Sequence, residues 1–460
     1  MTRQSAVTRS GHHLNARLIV MTRYPRPGRV KTRLVGALGD EGAAALHTRL
    51  ARHCVRRMHA AALGSGIQLE VRATGATAGK VRRWLGRDVR VRDQGEGDLG
   101  TRLAAAAQSA FDAGVGAAVL VGSDAPGVGG VHVRAALDAL AHHDVVLGPA
   151  MDGGYYLIAV AERSAARSVP ALLGPQIPWG TSDVLEATCA AARDAGLSVH
   201  LLGPVADIDR PEDVAIWEAI LADEERARSN PRLSVIIPAL NEEDGIAAAV
   251  ACSWAAGAHE VIVAHGSSTD RTEEIALAAG ARIVRSARGR AVQMNAGAAE
   301  ATGDILLFLH ADTSIPADSL DSVGGVMAHA DTALGSFRFA AGDHDNVVDR
   351  LITAGGRLRH TIFKLPYGDQ ALFVRARDFD DLGGFPLLPV MEDHEFASRC
   401  SRLGRLEAVR LSARSSARAW HRHGLIRTTL TNAAVIAGYR AGVPTERLAA
   451  WRSRIAERGR

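Results

Sequence analysis

Twice in this 460-residue chain an apolar run stops abruptly at an aspartate: AVLVGSDAP at 118–126 and LLFLHADT at 306–313. Runs this continuous predict strands covered on both faces, as in parallel sheets. A core rejects an unpaired carboxylate, so Asp124 and Asp312 must lie where their strands leave it. In open α/β sheets that exit, beyond the carboxyl ends of the strands, is where ligands bind. A carboxylate placed there can reach Mg²⁺ or Mn²⁺ while the metal neutralises phosphate oxygens. The pattern predicts a metal-diphosphate site in each half.

The rest of the chain has the rhythm such sites need. Strand-like RLIVM (17–21), QLEVRA (68–73), AAVLVG (117–122) and DVVLGPA (144–150) alternate with helical stretches such as 41–63, which predicts helices layered on a mostly parallel sheet. A chain this long exceeds what one core usually serves, so two α/β domains of roughly 200 residues are expected. PEDVAIWEAILADEE closes the first half as a helix opened by Pro211, and polar ERARSNPR (225–232) reads as a linker. LSVIIPALNEE then restarts the alternation, continued by EVIVAHG, ARIVRS and DILLFLHAD. The expected divisions are a disordered tail at 1–14, domains at 15–224 and 233–445, and a C-terminal tail at 446–460.

Composition narrows the function classes. Apolar residues at 47% and charged residues at 23% exclude bulk disorder. A net charge of +4 comes from scattered arginines and only 4% of residues are aromatic, which suits an anionic small ligand and not a nucleic-acid groove. The four cysteines form no CxxC pair, so no zinc site or disulfide framework is expected and a reducing cytoplasm fits. The N-terminus has no apolar signal segment and no run approaches a membrane span, so a soluble protein, at most peripheral to a membrane, is expected. LTNAAVIAGYRAGV (430–443) can form an amphipathic helix; Arg440 interrupts its apolar face and favours packing on the second domain over interfacial contact.

Two motif matches fail on physical grounds. GEGDLG (95–100) fits a dinucleotide fingerprint, but Glu96 and Asp98 repel a pyrophosphate and the preceding VRVRDQ alternates with arginine where a buried strand should be apolar. RPGRVKTRL (26–34) lacks the second glycine of a P-loop. It does supply Arg26, Arg29, Lys31 and Arg33 around Gly28 directly after the first strand, which points to phosphate binding. DGGYYLI (152–158) allows close backbone approach at Gly153 and Gly154 beside Asp152, and in DIDRPEDV (207–214) Asp207 and Asp209 can complete a metal site with Asp124.

LIVMTRYPRPGRVKTRL, RDQGEGDLGTRL, GSDAPG, LGPAMDGGYYLI, IPWGTSDVL and DIDRPEDV resemble the bacterial DUF2064 glycosyltransferase-like proteins, themselves similar to molybdopterin-cofactor and phospholactate nucleotidylyltransferases. The resemblance covers about residues 15–220. It implies a GT-A-like nucleotide-binding fold and leaves open whether this half transfers a sugar or a nucleotidyl group.

LSVIIPALNEE, RGRAVQMNAGAAEATGDILLFLHADT, YGDQALFVR and LGGFPLLPVMEDHEFASR resemble family 2 glycosyltransferases, in particular the arsenosugar-biosynthesis and diaponeurosporenoate glucosyltransferase group. The match runs from about 232 to 445 and implies a second GT-A fold that inverts a sugar taken from a nucleoside-diphosphate donor. On that resemblance Pro238, Asn241 and Glu242 form the first nucleotide loop, and Arg288, Arg290, Gln293 and Asn295 face the nucleotide. Asp312 binds metal and diphosphate, with His310 in the first acidic position, and Asp393 is the base. Glu392 and Asp393 also read as first-turn acids of a helix. His421 and His423, surrounded by arginine, read as a surface turn. EVIVAHGSSTDRT departs from the family: His265 stands where an aspartate contacts the base and Ser267 replaces a glycine, which leaves the donor base open, with Asp270 able to compensate in part.

These readings predict a bifunctional cytoplasmic transferase using Mg²⁺ or Mn²⁺, a nucleotide-sugar donor and a small-molecule or lipid-like acceptor, with no nucleic-acid partner. Two alternatives stand beside it: a nucleotidyltransferase in the first half, releasing pyrophosphate, or one domain acting as a non-catalytic nucleotide-binding scaffold.

Overall fold

A computed structural model describes residues 15–86, 89–342, 349, 353, 365–416 and 425–457. Its described residues divide into two compact units, one built from those up to Asp223 together with Asp380–Gly383, the other from Glu224–Phe379 and those from Gly384 onward.

The first unit holds β1 (Ala16–Arg23), β2 (Gln68–Thr74), β3 (Arg90–Asp93), β4 (Ala117–Gly122), β5 (Val145–Pro149), β6 (Tyr155–Ala161) and β7 (Val199–Leu201). They form one sheet in the order β3-β2-β1-β4-β6-β5-β7. Only β6 runs antiparallel to its neighbours; the other pairings are parallel. Alternate residues of the central strands serve opposite faces. Leu18, Val20, Val119 and Val121 pack with the helix Val35–Ser65, whereas Ile19, Ala118 and Leu120 pack with the helices Leu99–Phe111 and Ala165–Leu172. Cover on both faces is why these strands read as unbroken apolar runs. β3 is the sheet edge, and Arg90 and Arg92 are half exposed there, which accounts for its charged alternation.

The second unit repeats the plan with β8 (Leu233–Ala239), β9 (Glu260–His265), β10 (Arg282–Arg285), β11 (Ile305–Phe308), β12 (Thr313–Ser314), β13 (Thr332–Ala341), β14 (Leu372–Arg375) and β15 (Arg405–Ser415). Its order is β10-β9-β8-β11-β14-β13-β15-β12. With the two-residue β12 set aside, the order matches the first unit strand for strand, and β14, the counterpart of β6, is again antiparallel to both neighbours. One face carries Val235, Ile237 and Leu307; on the other, Phe308 packs edge-on to Phe385 with ring centroids 4.8 Å apart, beside Phe379 and Phe396.

Two boundaries differ from the sequence reading. The helix Val214–Ser229 runs through most of the expected linker, because ILADEERARS continues a helical sequence rich in good helix formers. Residues expected as a C-terminal tail form the helix Thr445–Glu457, which packs Leu448 against Val435 and Ile436 of the helix Leu425–Arg440. The apolar face of that preceding helix rests on Tyr367, Val390 and Met391. Among the described residues no helix is long and apolar enough to cross a membrane. The expected N-terminal tail and the His421/His423 turn lie outside the described residues.

Candidate functional site

In each unit the chain leaves its first strand toward β2 or β9 and crosses back to β4 or β11 on the other side, so the carboxyl ends of β1/β4 and β8/β11 are topological switch points. A crevice forms there because the connections diverge.

In the second unit the loop after β8 is built by its own polar groups. Asn241 adopts a left-handed conformation (φ 56°), its amide oxygen accepts from the Thr269 N–H at 2.8 Å, and its own N–H donates to Ser268 Oγ at 3.0 Å. The Glu242 N–H donates to Thr272 Oγ1 (2.8 Å) and the Glu243 N–H to Asp270 Oδ2 (3.2 Å). Asp270 is held below the usual carboxylate range: desolvation opposes this, but the Thr272 hydroxyl and the Thr272 and Glu243 amides outweigh it. A Cβ on Gly245 would lie 2.6 Å from the Ala311 carbonyl oxygen, so only glycine lets this loop close on the segment carrying Asp312.

Several of the candidate site residues gather around Gly368. Its N–H donates to Asp393 Oδ2 at 2.6 Å, and a Cβ there would fall 3.0 Å from that oxygen and 3.1 Å from His310 Nε2. The other carboxylate oxygen, Oδ1, accepts from the His394 N–H at 2.7 Å. Burial, reinforced by Arg290, drives the His310 imidazole down to about 3, against the pull of Asp393, so it is neutral. Arg290 Nη1 lies 3.3 Å from Glu392 Oε1. Burial raises the Glu392 carboxyl although Arg290 opposes the shift. Met391, immediately before the helix Glu392–Leu403, is left-handed at φ 69°, and so is Ala371 (φ 47°) just after Gly368–Gln370. Such backbone strain in non-glycine residues is characteristic of functional sites.

Several residues expected to face a nucleotide have other work. Gln293 is buried, and its amide donates to the Ala239 and Ala264 carbonyls at 2.8 and 2.9 Å, tying the ends of β8 and β9 together. Asn295 pairs with the Phe385 backbone in both directions, at 2.8 and 2.9 Å. Both side chains tie backbone segments of the site together. Arg288 and Pro238 remain at the rim, Arg288 donating to the Ser267 carbonyl at 3.4 Å. His265 is buried; the Ser268 N–H donates to its Nε2 at 3.0 Å, so the ring proton sits on Nδ1, which faces Glu273 Oε2 at 3.5 Å. Both ring nitrogens are engaged within the unit. The imidazole shapes the loop that holds Ser267 at φ 63°, and does not reach out as an aspartate would.

In the first unit the loop after β1 bends sharply, with Gly28 at φ 70° and Lys31 at φ 48°. Lys31 Nζ stands between the two carboxylates expected to share a metal, 3.2 Å from Asp124 Oδ2 and 3.5 Å from Asp209 Oδ1, and Arg33 also pairs with Asp209. Desolvation opposes charge on Lys31, but Asp124 and Asp209 raise its ammonium above the usual range, and Lys31 in turn holds Asp124 low. The acids left facing one another are Asp124, Asp152 and Asp207. Burial, then Asp152 and Asp124, push the Asp207 carboxyl up to about 6. The Ile208 N–H donates to the Asp124 carbonyl at 3.0 Å, fixing this loop beside β4. Gly153 (φ 90°) could carry no side chain, since a Cβ would lie 2.0 Å from the Ser182 carbonyl oxygen, and the Gly154 N–H donates to Asp152 Oδ1 at 2.9 Å. In GEGDLG, Asp98 caps the helix by accepting from the Thr101 N–H at 2.8 Å.

Among the described residues no three His, Cys, Asp or Glu side chains cluster tightly enough to hold a metal ion by themselves. A hard divalent cation that keeps water and phosphate oxygens in its shell needs few protein carboxylates, and the residues that would supply them are Asp312 in the second unit and Asp124, Asp152 and Asp207 in the first, where burial and then the charges of Asp152 and Asp124 raise Asp207.

Gly368's place beside Asp393 and Lys31's placement between two acids were not predictable from spacing. Gly368 lies in a segment already singled out, YGDQALFVR, but nothing in the sequence says that its missing side chain makes room for Asp393.

Comparison with known proteins places these sites in context. Residues 57–181 match the model of the uncharacterised bacterial family DUF2064, and residues 234–377 match glycosyl transferase family 2. Uncharacterised glycosyltransferases of Mycobacterium tuberculosis and Mycobacterium bovis are 33% identical over 167 residues, which is 34% of this chain and 75% of theirs. Among solved structures, a candidate nucleotide-diphospho-sugar transferase of Desulfovibrio desulfuricans is 34% identical, covers 47% of this chain and 92% of its own, and has a TM-score of 0.41. Glucosyl-3-phosphoglycerate synthase of M. tuberculosis, solved with Mn²⁺, UDP and phosphoglyceric acid, is 23% identical over 42% of this chain and 72% of its own, with a TM-score of 0.31.

Proposed function

Because this chain belongs to the glycosyltransferases, with a family 2 module in its second unit and a DUF2064 module in its first, we propose that the second unit transfers a sugar from a nucleoside-diphosphate donor to a hydroxyl of a small-molecule or lipid-like acceptor, with inversion. The observation that carries this reading is Asp393, whose two oxygens accept from the Gly368 and His394 amides at 2.6 and 2.7 Å. Held this way, the carboxylate is fixed in orientation and can take the proton of an acceptor hydroxyl as that oxygen attacks the sugar carbon. His310 beside it is neutral, so it does not neutralise the base. Arg290 anchors Glu392 and adds positive charge near the place where a diphosphate departs. Asp312 is the residue that would hold Mg²⁺ or Mn²⁺, which supplies charge neutralisation to the leaving diphosphate. A cytoplasmic setting fits four cysteines that are all free.

For the first unit the geometry favours a second reading, nucleotidyl transfer, because Lys31 stands between Asp124 and Asp209 while Asp152 and Asp207 supply further carboxylates for a metal. The engagement of His265 favours a loop-shaping role over a dead site.

Assays of nucleoside diphosphate against pyrophosphate release separate these reactions. Asp393→Asn should lower sugar transfer by about 10²–10⁴-fold, the usual contribution of a general base. Full transfer by that variant would sink the assignment.

A further inference from the structure

The loop after β1 faces two different environments. On the β4 side, Lys31 and Arg33 are neutralised by Asp124 and Asp209. On the β2 side lies a cleft of about 270 Å³ lined by Arg23, Tyr24, Arg26, Arg29, Thr74 and Arg102, with no acidic residue in its wall. It opens where β1 and β2 end together, at the Arg23/Thr74 pair, and the Tyr24 N–H donates to the Thr74 carbonyl at 2.8 Å to seal its floor. Arg23 Nη1 donates to the Arg29 carbonyl at 3.1 Å and braces the rim. Arg26, Arg29 and Arg102 make no ion pair among the described residues, and Arg102 Nε is buried without a hydrogen-bond partner. Asp98, at the start of the helix bearing Arg102, feels its charge only weakly.

Three unpaired guanidinium groups converging on one cleft repel each other unless an anion lies between them, and their planar forks match phosphate oxygens. A single carboxylate would leave most of that charge uncompensated; a phosphate monoester or polyphosphate would not. We propose that this cleft is a phosphate-binding subsite of the first unit that works without a metal ion, separate from the Lys31/Asp124 cluster, and that it anchors a phosphorylated substrate: either the polyphosphate of a nucleotide or the phosphate of a phosphorylated small molecule. The assignment stands apart from sugar transfer by the second unit, since it concerns binding alone.

Titration calorimetry on the full chain in EDTA and low salt tests it, with inorganic pyrophosphate as the probe. Pyrophosphate should bind, more weakly as salt rises. The double variant Arg26→Ala/Arg102→Ala should weaken binding at least tenfold, Arg29→Ala should weaken it without altering the melting curve, and Arg49→Ala, an exposed arginine elsewhere on the unit, should not change it. No metal-free binding, or binding that the double variant retains while still folded, overturns the proposal; should the double variant not fold, Arg29→Ala decides alone. Repeating the titration with nucleoside triphosphates and with glucose 1-phosphate identifies the source of the phosphate, and competition by either with pyrophosphate upholds the site.

Discussion

Gly368 shows how much of this protein's chemistry depends on single atoms. Its N–H donates to Asp393 and its missing Cβ leaves room between that carboxylate and His310. Gly368→Ala places a methyl 3.0 Å from the Asp393 oxygen, so the carboxylate or the imidazole must shift. A displacement of that order commonly costs about tenfold to a hundredfold in rate. We expect kcat for sugar transfer to fall by about that factor with little change in melting temperature, because Gly368 is only half-buried and packs on no core side chain. An equal loss in stability and in rate would contradict the positional role. At this scale the sequence was partly legible. Asp124 and Asp312 end up at the strand exits, since an acid after an apolar run has nowhere else to go, whereas Asp393 sits in the first turn of a helix. The backbone bonds of Gln293 and Asn295 were not legible, because an amide that bonds a backbone carbonyl and one that bonds a nucleotide look identical in sequence. His265 is the same case: only the Ser268 amide reveals that its lone pair is engaged.

At the scale of elements, Asp304 links several chain segments at the start of β11. Its carboxylate accepts from Arg226 Nη1 and Nη2 at 3.0 and 2.6 Å and from the Arg232 N–H at 2.9 Å, so it ties the end of the helix Val214–Ser229 to the start of β8. Desolvation opposes its ionisation, but the Arg226 and Arg232 bonds prevail and bring it down to about 2. A carboxylate whose folded pKa is depressed stabilises the fold above its unfolded pKa, and loses that contribution as pH falls through the folded value. Asp304→Asn should therefore cost on the order of 1–2 kcal/mol near neutral pH. The difference from wild type should shrink between pH 4 and 2, as measured by urea unfolding at each pH. A difference independent of pH would show that the bonds act through shape and not charge. Asp304 also explains the misplaced linker. ERARSNPR has the composition of a connector, yet Arg226 is required as a partner for Asp304, 78 residues away, and the helix extends to supply it. The arginines of VRVRDQ showed only that it is no buried strand; the sheet order places it as β3 at an edge, which such residues suit.

Over the whole molecule the same strand order occurs twice, each time around its own core. Leu120 lies in the core of the first unit and Leu307 in that of the second, and both are essentially without solvent exposure. Leu→Ala at such positions costs about 2–5 kcal/mol through lost burial and the cavity left behind. Leu120→Ala should speed hydrogen exchange in the strands of the first unit and Leu307→Ala in those of the second, read by mass spectrometry of peptides. Acceleration spread evenly over both units by either variant would argue against separate cores. The sequence by itself determined that there are two α/β units, where their central strands run and which aspartates end them, because burial on both faces writes itself as continuous apolar residues and a charge marks the exit. Only the tertiary structure decided what those charges meet: Lys31 between two acids, Asp393 on the Gly368 amide, three arginines around one cleft. The first two of those pairings join residues from 25 to 178 positions apart, and no local pattern encodes a contact made by the crossing of a sheet.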